Sequence, residues 1–247
     1  MRKAYWNGKI AAVEDVLIPF EDRGFLYGEG IFTTIRIKDG DPQFLDQHLS
    51  RFTEQVNQID LPPPQIDRRA IADLIVLNQA LKGNFRLKLI RTPNQEIAHI
   101  DPYIFLEGAP CKLLKEQGTG YQTSATLKSL SYLDRKLARD RALSTGYDDS
   151  VLTCPLGLWL EAGCGNLFWR EKGEFFYPSQ THLYLKGIIL SHLIEILQME
   201  PSNENPSPSA FLYYSNSLQG VRPIIEVADF NYSRNFDLEK EWSFLVN

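Results

Sequence analysis

Segments with the period of a helix and segments with the period of a strand follow one another along this chain without a regular strand–helix–strand rhythm. In one stretch the apolar residues recur at spacings of three and four, as on one face of a helix: Leu45, Leu49, Phe52, Val56 and Ile59. Residues 31–37, in contrast, are rich in β-branched side chains and predict a strand. This mixture predicts an α+β fold rather than a regularly alternating parallel one.

Local signals place the remaining elements. Asn7-Gly8 and Asp39-Gly40 suit two-residue hairpin turns, and the prolines at 62–64 end the first helix. Further helices are predicted at 68–81, from about 130 to 146, and at 188–199. Strands are predicted at 85–90, 103–106, 151–154, 158–161, 167–169, 174–177, 211–214 and 224–227, with a loop at 201–208.

The length of 247 residues fits one large domain or two small ones. Around residues 110–120 apolar side chains become sparse while Lys, Gln and Gly accumulate, which predicts a linker. We therefore expect a small N-terminal α/β domain over residues 1–112 and a larger C-terminal domain over residues 113–247.

Composition and charge exclude several classes of protein. Hydrophobic residues make up 43% of the chain, enough for a core without disulfide staples. The net charge of −5 argues against a nucleic-acid partner. No apolar stretch approaches the roughly 20 residues that cross a bilayer, and the first 20 residues lack the apolar core of a signal peptide. The three cysteines form no Cys-x-x-Cys, so we expect reduced thiols and a cytoplasmic protein with no membrane partner.

Short motifs by themselves identify no reaction. The four histidines are scattered and no zinc-ligand spacing occurs, so we expect no metal site. The glycines at 24, 28 and 30 do not have the Rossmann spacing, and they predict a tight turn before the strand.

Five segments in order carry a resemblance to a known family. They are DRGFLYGEGIFTTIRI (22–37), FLDQHLSRF (44–52), KSLSYL (128–133), EAGCGNLF (161–168) and KGI (186–188). Together they resemble the class IV, or fold-type IV, enzymes that depend on pyridoxal 5'-phosphate (PLP). This family includes branched-chain and D-amino-acid aminotransferases and 4-amino-4-deoxychorismate lyase. The resemblance implies a small N-terminal α/β domain, a larger domain with a distorted barrel-like sheet that carries the PLP lysine, and PLP between them.

The resemblance assigns the chemistry of the cofactor ring to three residues. Lys128 becomes the Schiff-base lysine and the base at the substrate Cα, roles that require an amine of lowered pKa. Glu161 pairs with the pyridine nitrogen and keeps it protonated, so that the ring accepts electrons. Tyr132, four residues after Lys128, would bond the phenolic oxygen if a helix placed both on one side; a half-buried aromatic is the alternative.

The resemblance also implies how the cofactor phosphate is held. Arg51 matches the phosphate-binding arginine, whose guanidinium fork suits a dianion. Gly187 and Ile188 begin a helix whose backbone N–H groups attract a phosphate. Asn166 and Ser217 are further cofactor contacts, although a turn explains either residue as well.

Two segments favour the lyase within the family. NSLQGVRPI (216–224) and GLWLEAGCGNLFWR (157–170) resemble lyase sequences more than aminotransferase sequences. The implied reaction converts 4-amino-4-deoxychorismate to 4-aminobenzoate and pyruvate, a step toward folate. Thr33 or Thr34 is a candidate acid for the departing group, with a role in forming the strand as the alternative. Lys88 and Arg91 are candidate cations for the substrate carboxylates, unless they are merely solvated.

Two alternatives stay open. A class IV aminotransferase acting on branched-chain or D-amino acids would use the same cofactor residues, and a catalytically silent binding protein of the same fold is the third reading. The resemblance implies a homodimer acting on a small molecule.

Overall fold

The computed structural model describes residues 2–106, 108–116, 125–179 and 183–235. Its elements belong to two units. The first unit comprises Met1–Phe105 together with Leu127–Tyr132, and the second comprises Leu106–Thr126 together with Leu133–Asn247. This division differs from the predicted boundary at 112/113, and it puts Lys128 in the N-terminal unit rather than in the larger one.

The N-terminal unit is an antiparallel six-stranded sheet in the order β2-β1-β6-β5-β3-β4. Its strands are β1 (Lys3–Trp6), β2 (Lys9–Ala12), β3 (Ile31–Lys38), β4 (Asp41–Pro42), β5 (Asn84–Arg91) and β6 (Glu96–Pro102). Its helices are α1 (Arg23–Tyr27), α2 (Leu45–Gln58) and α3 (Arg68–Leu77). Helix α2 packs against β3, and α3 packs against β1 and β6.

Alternation along β3 decides which side chains enter this core. Ile31, Ile35 and Ile37 are fully buried beneath the helices. Because successive side chains of a strand point to opposite faces, Phe32, Thr34 and Arg36 share the other face of the sheet. The same rule separates Lys88 from Arg91 on β5.

The C-terminal unit is built on a nine-stranded mixed sheet in the order β12-β11-β10-β13-β14-β7-β8-β9, with β15 paired to β14. The strands are β7 (Cys111–Glu116), β8 (Asp149–Thr153), β9 (Trp159–Ala162), β10 (Asn166–Glu171), β11 (Glu174–Pro178), β12 (Glu200–Ser202), β13 (Phe211–Asn216), β14 (Gly220–Val227) and β15 (Phe230–Asn231). The sheet curls, so that β9 returns against β10 and β11. Helix α4 (Leu133–Ser144) packs on β7 and β8, and α5 (Ile188–Ile196) packs on β13.

The α+β prediction is confirmed, as are both hairpins and α2. Asn7 and Gly8 at the first hairpin, and Asp39 and Gly40 at the second, all have positive φ. Four local predictions are wrong. Residues 103–106 form no strand, β7 lies within the predicted linker, β12 extends into the predicted loop, and the helix expected from about residue 130 starts at Leu133.

No helix among the described residues is both long enough and apolar enough to cross a bilayer.

Candidate active site

The backbone of Lys128 is fixed against β3. The amide of Phe32 donates to the carbonyl of Lys128 (2.9 Å), and the amide of Leu130 donates to the carbonyl of Gly30 (2.9 Å). The Lys128 amide in turn donates to Oε1 of Gln55 on α2 (3.0 Å). These bonds extend the pairing of β3 by a short antiparallel bridge and hold Lys128 beside Phe32.

The glycines before β3 make this approach possible. A Cβ on Gly30 would stand 2.6 Å from Cδ1 of Leu130 and 2.8 Å from the carbonyl oxygen of Arg91. Gly28 ends α1 in the left-handed region (φ +71°) and lies against Ser131. The glycine cluster therefore makes the predicted turn, and it also admits the segment that carries Lys128.

The Phe32 ring gathers three of the predicted site residues. Nζ of Lys128 lies 4.9 Å from the ring centroid and Nζ of Lys88 lies 4.6 Å from it. The Tyr132 ring meets Phe32 edge-on at 5.4 Å, and Nζ of Lys128 is also 5.4 Å from the Tyr132 centroid. Tyr132 precedes α4, so a turn and not the expected helical spacing brings it to Lys128.

Lys88 is a half-buried cation on the same sheet face as Phe32. Burial lowers the pKa of Lys88, and the neighbouring Arg86 guanidinium lowers it further, while Asp101 opposes this. Such an ammonium group gains from an anionic partner, because burial has removed much of its hydration.

Arg91 points to the opposite face of the sheet. Its Nε donates to the carbonyl of Pro62 (2.7 Å), and the residue is 9% exposed. The structure therefore does not bring Arg91 together with Lys88, and the observed bond anchors the proline loop.

Arg51 lies on α2 and reaches β3. Its Nη2 donates to Oγ1 of Thr33 (3.3 Å), and the same Oγ1 lies 2.7 Å from Nδ1 of His48. Burial lowers the pKa of Arg51 to about 10, so the guanidinium remains charged at neutral pH. Thr33 is 1% exposed and its hydroxyl already contacts two side chains, which argues against the predicted role as an acid for a leaving group.

His48 is a buried neutral imidazole. Burial, followed by the charges of Arg51 and Lys128, lowers its pKa to about 3. Its Nε2 is buried without a hydrogen-bond partner among the described residues. Protonating this ring in the folded state is therefore unfavourable.

This shift predicts acid sensitivity. Between the unfolded value of 6.5 and the folded value near 3, the unfolded chain binds a proton that the folded chain does not, so stability falls as the pH falls. From pH 6.5 to about pH 5 the loss from this group is about 1.6 kcal/mol. We expect the difference in Tm between neutral buffer and about pH 5 to be smaller for His48→Gln than for the unaltered protein. Equal differences in the two proteins would show that His48 is not the group responsible.

In the C-terminal unit, Glu161 is placed on β9 with a cation beside it. Nη2 of Arg135, on α4, donates to Oε1 of Glu161 (2.6 Å) and to the carbonyl of Ala125 (3.3 Å). The side chains of Arg135 and Glu161 are 12% and 7% exposed. This ion pair holds a buried carboxylate in one orientation.

Asn166 shapes the start of α5. Its Nδ2 donates to the carbonyl of Leu185 and its Oδ1 accepts from the amide of Gly187, both at 2.8 Å. A Cβ on Gly187 would lie 2.3 Å from that Oδ1, so this cradle requires glycine. No side chain caps α5, which leaves the N–H groups of its first turn, beginning at Ile188, directed out of the helix.

The turn containing Ser217 is tied to the loop after Glu161. Oδ1 of Asn216 accepts from the amides of Leu218 and Gln219, while its Nδ2 donates to the carbonyl of Cys164. Ser217 is half-buried at this turn, and its role as a cofactor contact remains a prediction.

The arrangement thus supplies two sets of groups. The N-terminal set is Thr33, His48, Arg51, Lys88, Lys128 and Tyr132; the C-terminal set is Arg135, Glu161, Asn166, Gly187 and Ile188. Within the N-terminal set, an amine and a guanidinium suit an aldehyde and a phosphate. Within the C-terminal set, a helix N-terminus suits an anion and a buried carboxylate suits a basic ring nitrogen. No cluster of potential metal ligands occurs in the described ranges.

Sequence reasoning did not identify Arg135, Gln55 or His48 as site residues. For Gln55 and His48 the sequence does contain a signal. His48 and Gln55 are polar residues seven apart on α2, both buried, with Arg51 between them at spacings of three and four. No local pattern marks Arg135, because its partner Glu161 comes from a distant strand.

The chain matches a profile described as amino-transferase class IV over residues 30–227. It is 28% identical over 219 residues to a provisionally named branched-chain-amino-acid aminotransferase of Methanocaldococcus jannaschii, covering 80% of this chain and 75% of that protein. It is 25% identical over 257 residues to the aminodeoxychorismate lyase of Bacillus subtilis, covering 92% and 87%.

Solved structures share the fold. A Legionella pneumophila protein provisionally assigned as 4-amino-4-deoxychorismate lyase has a TM-score of 0.83 at 24% identity, covering 95% of this chain and 97% of that one. A hypothetical aminotransferase from Mycobacterium tuberculosis, solved with PLP bound, has a TM-score of 0.85 at 16% identity, covering 99% and 96%.

Proposed function

The chain belongs to the amino-transferase class IV family, and from that premise we propose that it is a lyase that converts 4-amino-4-deoxychorismate to 4-aminobenzoate and pyruvate. The cofactor of the family is PLP. The described residues include groups that fit this cofactor: the Lys128 amine, the Arg51 guanidinium, the Glu161 carboxylate and the glycine cradle at α5.

Lys88 is the observation that favours the lyase. The proposed substrate carries two carboxylates, whereas a branched-chain amino acid carries one carboxylate and an apolar side chain. The Phe32 ring centroid lies 4.6 Å from Nζ of Lys88 and 4.9 Å from Nζ of Lys128. The half-buried Lys88 ammonium therefore suits a second carboxylate near the reacting carbon. The same ammonium opposes an apolar side chain there, because its charge would lose hydration without gaining a partner.

When bound, PLP supplies an aldehyde that condenses with the substrate amine and a ring that accepts electrons from the adjacent carbon. Lys128 then removes the proton from the carbon that bears the nitrogen. The bond from the substrate ring to the enolpyruvyl oxygen breaks with its electron pair on that oxygen, and the substrate ring becomes aromatic. The released enolate takes up a proton to give pyruvate.

The other residues bind and orient. Arg51 and the first turn of α5 hold the phosphate, with Asn166 fixing Gly187 for that purpose. Glu161, kept in place by Arg135, would pair with the pyridine nitrogen and keep it protonated. Tyr132 is assigned to the phenolic oxygen and Ser217 to the phosphate turn. Lys88 binds a substrate carboxylate, while Arg91 is left to its structural bond with Pro62.

An aminotransferase is the second candidate, favoured by the similarity to the Methanocaldococcus protein. It would use the same Lys128, Glu161 and Arg51. A silent binding protein is disfavoured, because the predicted Schiff-base amine and the buried carboxylate are both present.

We also propose a cytoplasmic homodimer. Residues 17–27 expose several large apolar side chains on the N-terminal unit, and a second copy of the chain is the proposed cover: Leu17, Ile18, Phe20, Phe25 and Tyr27. Light scattering should give twice the 28.3 kDa of one chain, and a mass of one chain would refute the dimer. Cell fractionation tests the location.

The products test the proposed reaction. Purified holoenzyme incubated with 4-amino-4-deoxychorismate is expected to release 4-aminobenzoate and pyruvate in equal amounts. Boiled enzyme is the control for spontaneous decay. Formation of a keto acid from D-alanine or L-leucine, with no 4-aminobenzoate from the chorismate derivative, would favour the aminotransferase instead.

A further inference from the structure

Three side chains of the N-terminal unit form a continuous hydrogen-bonded chain. Arg51 Nη2 donates to Thr33 Oγ1 (3.3 Å), and Thr33 Oγ1 is 2.7 Å from His48 Nδ1. Thr33 and His48 are each 1% exposed. Arg51 and His48 lie three apart on α2 and so share a face of that helix, while Thr33 comes from β3.

The two hydrogen-bonded partners of this set leave the positive charge of Arg51 unneutralised. A threonine hydroxyl accepts from the guanidinium without neutralising it, whereas a carboxylate in its place would form an ion pair. His48 is neutral as well. Arg51 is therefore held in place by uncharged groups, and its positive charge is left for an anion from outside the set.

Burial of the polar His48 ring costs free energy of folding. One ring nitrogen contacts the Thr33 hydroxyl, while Nε2 is buried without a partner among the described residues. An apolar residue would fill the same space without that penalty. The bond to Thr33 is the interaction that an apolar replacement could not make.

We propose that His48 and Thr33 are positioning residues that hold the Arg51 guanidinium in the orientation that binds the cofactor phosphate. The inference rests on the proposed function, because it takes Arg51 as the phosphate anchor. It replaces the expectation that Thr33 is an acid for the leaving group.

Two ligands separate this role from a merely structural one. PLP carries the phosphate and pyridoxal does not, so the ratio of their Kd values for the cofactor-free protein reports the contact with phosphate alone. Thr33→Val keeps the volume of the side chain and removes the hydroxyl. Thr53→Val makes the same change at an exposed position of α2, two residues after Arg51, and is the matched control.

Thr33→Val is expected to weaken PLP binding about tenfold and to leave pyridoxal binding within about twofold. His48→Gln should act in the same direction, with a smaller effect because an amide can still bond the hydroxyl. Thr53→Val should change neither Kd. In an Arg51→Ala background, Thr33→Val should have no further effect on PLP binding.

Each departure has its own meaning. If Thr33→Val weakens PLP and pyridoxal equally, the hydroxyl is structural and the inference is overturned. If Arg51→Ala removes the preference for PLP but Thr33→Val does not, the inference fails while the phosphate anchor stands. If Arg51→Ala itself keeps the preference, the assignment of Arg51 in the proposed function fails, and the inference fails with it.

Discussion

Lys128→Ala is expected to abolish turnover, with a loss of at least about 10⁴-fold, because one substitution removes both the condensing amine and the base. The Lys128 side chain is the amine beside Phe32 and Tyr132 that the structure holds through backbone bonds to β3. Those backbone bonds do not depend on the side chain, so the variant should fold. The measurement is 4-aminobenzoate formation at saturating substrate and added PLP.

Lys186→Ala is the control, because Lys186 is the lysine of the KGI segment (186–188), which also carries the family resemblance. This variant should retain activity. Borohydride reduction followed by peptide mass analysis should find the cofactor attached at Lys128 in the unaltered protein. Attachment at Lys186, or full activity of Lys128→Ala, would show that the assignment of the reactive lysine is wrong.

Glu161→Gln is expected to lower kcat by about 10²–10³-fold, the usual effect of losing one preorganised electrostatic group. The amide keeps the shape of the side chain but cannot supply the negative charge opposite the protonated ring nitrogen. It also leaves Arg135 as a nearly buried cation without its carboxylate, so we expect a lower Tm as well.

Arg135→Gln separates the two effects. It should lower Tm through the same broken pair but cost less in kcat than Glu161→Gln, because the carboxylate remains. Glu174→Gln, at an exposed position of β11, is the matched control and should change neither quantity. A Glu161→Gln enzyme with unaltered kcat would remove this residue from the site.

The sequence predicts best the elements whose apolar residues recur at a regular spacing. Helix α2 follows its apolar spacing, and its bounds Leu45–Gln58 differ by one residue from the prediction. The sequence predicts a linker at β7 because Lys112, Lys115 and Glu116 make its apolar residues sparse. The segment is a strand because β14 and β8 pair with it from both sides, which no local window reveals.

Residues 103–106 show the opposite case. Aromatic and β-branched side chains predicted a strand there, but these aromatics cover charged groups instead. The Arg36 guanidinium lies 4.3 Å from the Phe105 ring and that of Arg86 lies 5.6 Å from Tyr103. The pairing with β5 is made by the preceding strand β6, whose Ala, His and Asp residues gave a weaker signal.

For the site, resemblance supplied the residues and the structure supplied their partners. Lys128, Lys88 and Tyr132 come together at Phe32, while Arg91 faces away from Lys88. The contacts of Thr33 with His48 and Arg51 join a strand to a helix. Such contacts depend on tertiary packing, so spacing along the chain could not predict them.

The proposed reaction eliminates the enolpyruvyl group and leaves the amino group on the product, whereas an aminotransferase moves the amino group to the cofactor. The number of turnovers without a keto acid tests this difference most directly. The holoenzyme is mixed with excess 4-amino-4-deoxychorismate and no keto acid, and 4-aminobenzoate is counted per active site. A lyase leaves no amino group on the cofactor, so we expect many turnovers per active site. No 4-aminobenzoate, or a reaction that stops after one turnover until a keto acid is added, would contradict it.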